Sequence, residues 1–266
     1  MGVVHCQITS REYKLMLNVD RFHNRERDAV EFWHLLEFLV TKQGGEVVKE
    51  QHSEEERLTW YLDTPELALR QRGFVLRVRE ESKDGGKRYK TTLKYRSGDR
   101  YLAAAQNVSS SQEGKFKFEE DILPPFKSKF SHSNSVKSKK APKLTKMSKV
   151  VDLFPGLETL KIDKDTFIKK VNKFTAHETF RKVAQVKFSQ EPVVKLGLSF
   201  WYLLGKKGEL PLVAEFSFDY DDESKSEQFP LEVVTGSKGF FRSLQKQSGW
   251  LNLQGTTKTA FAYGGF

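Results

Sequence analysis

Hydrophobic and polar residues alternate with a period of two along most of the chain. Such alternation is typical of strands that have one buried face and one polar face. It predicts extended segments at residues 7–17, 57–62, 74–79, 89–96, 179–188, 197–204 and 212–220. A further short strand is predicted around Glu232.

Helical periodicity appears in fewer places. Between residues 24 and 42 the apolar side chains recur on one stripe, and Gly44-Gly45 ends the pattern. Shorter helical patterns lie at 150–160 and 239–247. Many strands combined with a few helices indicate an α+β fold or a closed barrel.

The length and composition narrow the class of protein. A chain of 266 residues with 38% hydrophobic and 30% charged residues is typical of a soluble globular protein, and we treat 1–266 as a single domain. Its longest apolar stretch, 196–204, is shorter than the roughly 20 residues of a membrane helix. Residues 1–10 do not have the pattern of a secretory signal. Cys6 is the only cysteine, so we expect no internal disulfide and a reducing, cytoplasmic location.

The positive charge is concentrated in one segment. The formal net charge is +10, but residues 126–150 contain eight lysines and no acid, and the rest of the chain carries only +2. The segment is also rich in serine and contains Pro142, which predicts a disordered insertion. It could serve solubility alone, or form a weak electrostatic site for nucleic acid, acidic lipid or polyphosphate. Basic charge by itself does not establish a nucleic-acid-binding protein.

Several predicted strands carry charges of one type on their polar faces. These sets are Arg77 with Arg79; Lys90, Lys94 and Arg96 with Thr92; Arg181 with Lys187; and Glu215 with Asp219. A sandwich would expose such faces to water, whereas a barrel that turned them inward would need an anion to offset the clustered cations. A triphosphate bridged by a divalent cation would meet that need. Alternation alone does not choose between the two arrangements.

One long motif resembles a known family. Residues 60–79 read WYLDTPELALRQRGFVLRVR, which is similar to a characteristic stretch of the CYTH superfamily, the triphosphate tunnel metalloenzymes. The segments 89–94 (YKTTLK) and 257–263 (TKTAFAY) resemble later motifs of that family. The stretch 10–14 (SREYK) resembles its first strand, E-x-E-x-K.

The resemblance implies a fold and a range of activities. The family forms an eight-stranded antiparallel β-barrel, a tunnel with flanking helices and charged residues inside. Its members include inorganic triphosphatases, thiamine triphosphatase, RNA 5′-triphosphatases and class IV adenylyl cyclases, which handle a triphosphate group with Mg²⁺ or Mn²⁺. The inward arrangement of the charged faces is therefore favoured. The lysine-rich segment at about 126–150 would be an insertion.

The resemblance also implies site residues. The cations expected to bind phosphate are Lys14, Arg77, Arg79, Lys94, Arg96, Arg181, Lys187 and Lys258. The expected metal ligands are Glu12, Glu119, Glu215 and Glu232. Asp219 would activate water, with Lys14 and Arg181 acting beside it on the phosphoryl group. Ser10 and Val234 stand where the family has glutamates, so two of its usual metal-binding carboxylates are missing.

Three functions remain open from the sequence. The first is a Mg²⁺- or Mn²⁺-dependent hydrolase that acts on phosphoric anhydrides, either tripolyphosphate or an organic triphosphate. The second is a cyclase that acts on ATP. The third is a non-catalytic module that binds triphosphate or polyphosphate, because the missing carboxylates weaken the expected metal site. We expect no membrane partner and no nucleic-acid partner, although the lysine-rich segment leaves nucleic acid open, and the sequence does not predict the oligomeric state.

Overall fold

The computed structural model describes residues 7–51, 53–83, 86–189, 191–206, 208–222, 227–252 and 254–264. Cys6 and most of the turn expected at 84–86 lie outside the described residues. The strands are β1 (Ser10–Leu17), β2 (Glu46–Glu50), β3 (Glu54–Asp63), β4 (Phe74–Lys83), β5 (Gly86–Ser97), β6 (Gly114–Leu123), β7 (Lys127–Ser138), β8 (Lys169–Lys170), β9 (Ala176–Lys187), β10 (Val194–Leu203) and β11 (Val213–Asp221). The helices are α1 (Arg25–Lys42), α2 (Ala68–Gln71), α3 (Arg100–Ala105), α4 (Met147–Leu153), α5 (Leu231–Leu244) and α6 (Lys258–Gly264).

Nine of these strands close into a barrel. Their order is β9-β10-β11-β1-β6-β7-β5-β4-β3, and β3 pairs back onto β9. The short strands β2 and β8 extend the sheet beside β9 and β3. The predicted α+β barrel is confirmed, but it has nine strands rather than eight, and the pairing of β1 with β6 is parallel. The described part of the chain contains no helix with the length and apolar character needed to cross a membrane.

The lysine-rich segment supplies one of the barrel strands. Residues 127–138 form β7, which pairs with β5 on one side and with β6 on the other, and α4 begins at Met147. The prediction of a disordered insertion at 126–150 is therefore wrong for this stretch. Its composition resembles that of a solvated loop because β7 borders a polar cavity, which it lines with Lys129, Ser133 and Ser135. Such a strand needs few apolar residues, since its neighbours satisfy the backbone hydrogen bonds.

The main apolar core lies outside the barrel, under α1 and α5. Phe216 and Phe218 of β11 are fully buried there against Phe32 of α1 and Phe240 of α5. The predicted helix at 24–42 is confirmed, with Asn24 as its N-cap: its side chain accepts a hydrogen bond from the Arg27 amide.

The strand expected around Glu232 is wrong, because this residue lies in the first turn of α5. The buried residues Val233, Phe240, Phe241 and Leu244 recur on one face of that helix and hold it against the barrel. Glu232 lies away from this face and is exposed.

A second apolar cluster fills part of one end of the barrel interior. It joins Tyr61, Val75, Trp201 and Val213, which point inward from four different strands, to Ala262 of α6. The helix α6 therefore packs across this end. Because these inward positions are apolar, the charged part of the interior is confined to the remaining space.

Candidate functional site

The alternation along β4 shows how charged residues reach the inside of the barrel. Leu76 and Val78 are fully buried on the outer face, in an apolar cluster that also contains Val150 of α4. The intervening residues Arg77 and Arg79 consequently point inward and line a cavity. The charged face of β4 is therefore turned inward, as expected for a barrel.

The cavity is large and predominantly cationic. Its volume is about 710 Å³. The cationic side chains at its surface are Lys14, Arg57, Arg70, Arg77, Arg79, Lys90, Lys94, Arg96, Lys117, Lys129 and Lys258. The carboxylates are Glu12, Glu119, Asp121, Glu178, Glu215 and Asp219. This lining has a formal excess of five positive charges.

Part of this excess is a group of cations on β4 and β5. Arg79 lies directly across from Lys90 in the β4–β5 pairing, and Arg77 is two residues further along β4. Among the described residues, neither Arg77 nor Lys90 has a carboxylate within 4.0 Å, whereas Arg79 contacts Glu178 at 3.2 Å. Burial and the two neighbouring guanidinium groups lower the pKa of Lys90 to about 8, and burial and Arg79 lower the pKa of Arg77. Binding of an anion would offset the electrostatic repulsion among these three cations.

Other cations of the cavity are already neutralised. Lys14 contacts Asp121 at 2.7 Å and Glu12 at 2.8 Å, and Lys94 contacts Glu119 at 2.8 Å. Burial alone would raise the pKa of Asp121, but the nearby ammonium groups of Lys14 and Lys94 outweigh it and lower the pKa to about 2. These buried ion pairs order the wall formed by β1, β6 and β5.

The C-terminal segment adds a further cation to the wall. Lys258, the first residue of α6, contacts Glu178 at 3.1 Å and Glu215 at 3.0 Å. It also lies within hydrogen-bond distance of Ser199, at 3.1 Å. Burial opposes the charged form of Lys258, but these two carboxylates outweigh it and raise its pKa. The segment before α6 is thereby fixed at the rim of the cavity.

Glu12 and Asp219 form the pair of carboxylates best suited to a divalent cation. They are direct partners in the β1–β11 pairing, and both line the cavity. Burial, together with the carboxylates of Glu12 and Asp221, raises the pKa of Asp219 to about 7. The described residues contain no cluster of three or more His, Cys, Asp or Glu side chains arranged to hold a metal. The donor set therefore fits Mg²⁺ or Mn²⁺ that keeps several waters or takes further oxygens from a phosphate.

The two groups lie on opposite walls of the barrel. Counting around the barrel, β4 is four strands from β1 in one direction and four strands from β11 in the other. The cations Arg77 and Arg79 on β4 therefore face the carboxylates Glu12 and Asp219 across the cavity. A ligand between them would meet unpaired positive charge on one side and a potential cation site on the other.

Ten of the thirteen residues expected from the sequence to form the site line this cavity. They are Glu12, Lys14, Arg77, Arg79, Lys94, Arg96, Glu119, Glu215, Asp219 and Lys258. Their roles toward a ligand remain predictions.

The other three, Arg181, Lys187 and Glu232, lie elsewhere. Arg181 is on the outer face of β9, where it pairs with Glu54 at 2.9 Å and with Glu26 of α1. Lys187, at the end of β9, contacts Glu191 at 3.3 Å. Glu232 is exposed on α5 and cannot serve with Glu12 as a metal ligand. On β9 the inward face is instead set by Glu178 and Phe180.

The sequence reasoning also missed residues that line the cavity. Asp121 follows Lys117 and Glu119 with the spacing of one strand face, so the alternation of β6 contained a signal for it. Lys90 was placed on one polar face with Lys94 and Arg96 but was not among the cations expected to bind phosphate, and it too lines the cavity. Glu178 had no such signal, because its inward position depends on the pairing of β9 with β3 and β10.

The chain matches no protein-family model and no curated protein. Among solved structures it is similar to HpAC1 from Hippeastrum, assigned as an adenylyl cyclase and found to have a dominant triphosphatase activity. The identity is 13% and the TM-score 0.47, over 95% of this chain and 94% of that chain.

Two further solved structures are similar over most of their length. One is a protein from Bacillus halodurans assigned as an adenylate cyclase, with 15% identity and a TM-score of 0.44 over 95% of this chain and 97% of that chain. The other is PH1819 from Pyrococcus horikoshii, with 14% identity and a TM-score of 0.37 over 89% of this chain and 86% of that chain.

Proposed function

We propose that this protein is a CYTH-type triphosphatase that binds a triphosphate in the barrel cavity and hydrolyses it with Mg²⁺ or Mn²⁺. The observation that carries the proposal is the arrangement across the cavity: Arg77, Arg79 and Lys90 on one wall, and Glu12 with Asp219 on the other. A buried group of like charges is unfavourable without a counterion, so the wall is built for a polyanion.

Each group has a task in the proposed reaction. Arg77, Arg79 and Lys90 hold the phosphate oxygens and stabilise the charge that spreads over them during transfer. Glu12 and Asp219 would hold the divalent cation, which when bound neutralises phosphate charge. Asp219 is also the carboxylate that we propose to accept a proton from the attacking water. Lys14 keeps Glu12 and Asp121 in position.

A non-catalytic triphosphate-binding module is the second candidate. It is favoured by the ion pairs of the cavity, because Glu119, Asp121, Glu178 and Glu215 are all engaged by lysine or arginine side chains. Glu12 is paired with Lys14 in the same way, so Asp219 is the one carboxylate of this lining that has no cation within 4.0 Å in the described part of the chain. A two-metal arrangement then lacks ligands for its second ion. The anion-binding wall is the same in both candidates.

The experiment measures phosphate release and binding on the same samples. Tripolyphosphate, thiamine triphosphate, ATP and pyrophosphate are each incubated with Mg²⁺ and then Mn²⁺, and affinities are determined by isothermal titration. We expect release from at least one triphosphate and a strong loss of both release and affinity in Arg77→Gln. Lys187→Gln is the matched control, because this cation lies outside the cavity. Binding without release would favour the module, and the absence of both would refute the proposal.

A further inference from the structure

Exposed leucines lie together at the tip of the hairpin formed by β10 and β11. Leu203 is 42% exposed, Leu204 59% and Leu210 38%. They are three of the eleven large hydrophobic side chains that are exposed in the described part of the chain. Trp201 pairs with Val213 just before the tip, so the two arms of the hairpin run side by side up to these leucines. A single exposed leucine needs no explanation, but three at one tip form an apolar patch on the surface.

Exposed lysines border this patch. Leu203 pairs with Ala176 at the start of β9, and the chain that leads from β8 into β9, residues 169–176, runs along β3 to the same place. Three exposed lysines of this segment have no carboxylate within 4.0 Å among the described residues: Lys169, Lys170 and Lys173. The ammonium group of Lys170 lies 4.9 Å from the ring centroid of Trp60. The leucines therefore lie next to unpaired positive charge.

The acidic residues closest to this segment and to the tip in the fold have other partners. Glu209 of the tip pairs with Lys206 at 2.9 Å, so these two side chains add no net charge. Asp63, which is opposite Lys169 in the pairing of β3 with β8, is buried and accepts hydrogen bonds from three backbone amides at the start of α2. We call the surface formed by the three leucines and the three lysines the leucine–lysine face. It is both apolar and positively charged.

The chemistry of the leucine–lysine face favours an anionic membrane as its partner. A second copy of this chain would bring its own lysines against these, and like charges across an interface are unfavourable. Single-stranded nucleic acid is held by aromatic rings that stack on its bases, and leucine side chains offer no ring. A bilayer with acidic lipids suits both features, because leucines enter the boundary of the acyl chains while lysines attract the headgroups.

We infer that the leucine–lysine face docks the protein on the surface of a bilayer that contains acidic phospholipids. The expectation of no membrane partner rested on the length of the apolar stretches, which bears on spanning helices and not on contact with a membrane surface. The inference is independent of the proposed function, because none of the six residues lines the cavity.

Docking through this face leaves the other end of the barrel open to water. The face lies at the end covered by α6, where Phe174, just before β9, packs against Phe261. At the same end Arg96 donates a hydrogen bond to Thr259 of α6, at 3.1 Å. Lys90 lies six residues earlier on β5, toward the opposite end. A charged ligand therefore reaches the cavity from water while the protein is bound to the bilayer.

The test measures binding to vesicles of phosphatidylcholine, alone and mixed with phosphatidylserine, by co-sedimentation at constant ionic strength. The parent protein should bind the mixed vesicles and bind phosphatidylcholine much more weakly. Leu204→Gln should weaken binding to the mixed vesicles about tenfold, and Lys173→Gln about fivefold. Leu231→Gln, an exposed leucine of α5, and Lys149→Gln, a lysine of α4 that pairs with Asp152, are the matched controls and should bind within twofold of the parent. Thermal unfolding verifies that each variant keeps the fold.

Several results would overturn the inference. Binding to neither kind of vesicle, or equal binding to both, would exclude an acidic membrane. A loss in Lys173→Gln without a loss in Leu204→Gln would leave only non-specific attraction, and an oligonucleotide bound with that same dependence would assign the lysines to nucleic acid. A dimer in analytical ultracentrifugation that Leu204→Gln dissociates would show that a second copy covers the face. Arg77→Gln should bind vesicles like the parent, so failure here and failure of the proposed function are separate results.

Discussion

Replacing Lys90 by methionine should make the protein without ligand more stable and bind triphosphate less well. Methionine has nearly the same length but no charge, so the change removes one buried cation from beside Arg77 and Arg79. The fall in the Lys90 pKa from 10.5 to about 8 corresponds to roughly 3 kcal/mol at 1.36 kcal/mol per pKa unit. Partial exposure to water reduces this amount, and we expect a gain in unfolding free energy of about 1–2 kcal/mol at pH 7. The melting temperature should rise by about 2–8 °C.

The gain in unfolding free energy of Lys90→Met should decrease as the pH rises. Because the Lys90 pKa is lower in the folded state, the unfolded chain holds more protons between pH 8 and pH 10.5, and the stability of the parent rises over this range. The other ionisable groups that face Lys90 are Arg77, Arg79, Lys137 and Glu81. The advantage of Lys90→Met should therefore shrink as the pH rises from 7 to above 9.

The assay is thermal unfolding at pH 7 and pH 9.5, with and without tripolyphosphate. Ligand should stabilise the parent in proportion to the logarithm of its concentration over the dissociation constant, and should stabilise the variant much less. Lys187→Met is the control, because Lys187 lies outside the cavity and pairs with Glu191 at 3.3 Å. A Lys90→Met protein that is less stable than the parent at pH 7, or that keeps the full effect of the ligand, would refute the reasoning.

Further predictions concern other parts of the site. Arg79→Gln should lower triphosphate affinity at least tenfold in isothermal titration. Arg181→Gln should leave this affinity within twofold but lower the melting temperature, because Arg181 is buried between β9 and α1. Equal losses of affinity in the two variants would contradict the placement of Arg181. Asp219→Asn should abolish Mn²⁺ binding measured by titration and raise the melting temperature at pH 7. Burial raises the pKa of Asp219 to about 7, so ionisation of this carboxyl group lowers the unfolding free energy as the pH rises from about 4 to 7. A variant less stable than the parent at pH 7 would contradict this. Deleting residues 127–138 should prevent folding, because it removes a strand that is paired on both sides. The expected observation is loss of the cooperative unfolding transition. A shortened protein that still unfolds cooperatively would show that β7 is dispensable.

The local pattern of the sequence was sufficient for the elements in which one face is apolar. The helix at 24–42 and the strands around 74–79, 89–96 and 212–220 are confirmed, because their buried faces repeat with a clear period. The same alternation placed Arg77 and Arg79 on one face. The resemblance at 60–79 then favoured a barrel that turns this face inward.

The pattern of apolar residues did not predict a strand whose inward face is polar. The strand β7 borders the polar cavity, so its serines and lysines have the composition of a solvated loop although both edges are hydrogen bonded. Around Glu232 the short window resembled a strand, and only the packing of Phe240, Phe241 and Leu244 against the barrel identifies a helix.

Tertiary structure alone decided which charges share the cavity. Arg181 and Glu178 are three residues apart on β9, and the sequence favoured the arginine as an inward residue. Closure of the barrel through β3 instead turns Glu178 inward, where it contacts Arg79 and Lys258, and turns Arg181 toward Glu26 of α1. A strand has two faces, and which face points inward depends on its pairing with strands distant in the chain, so the sequence determined the two sets of residues but not the side on which each lies.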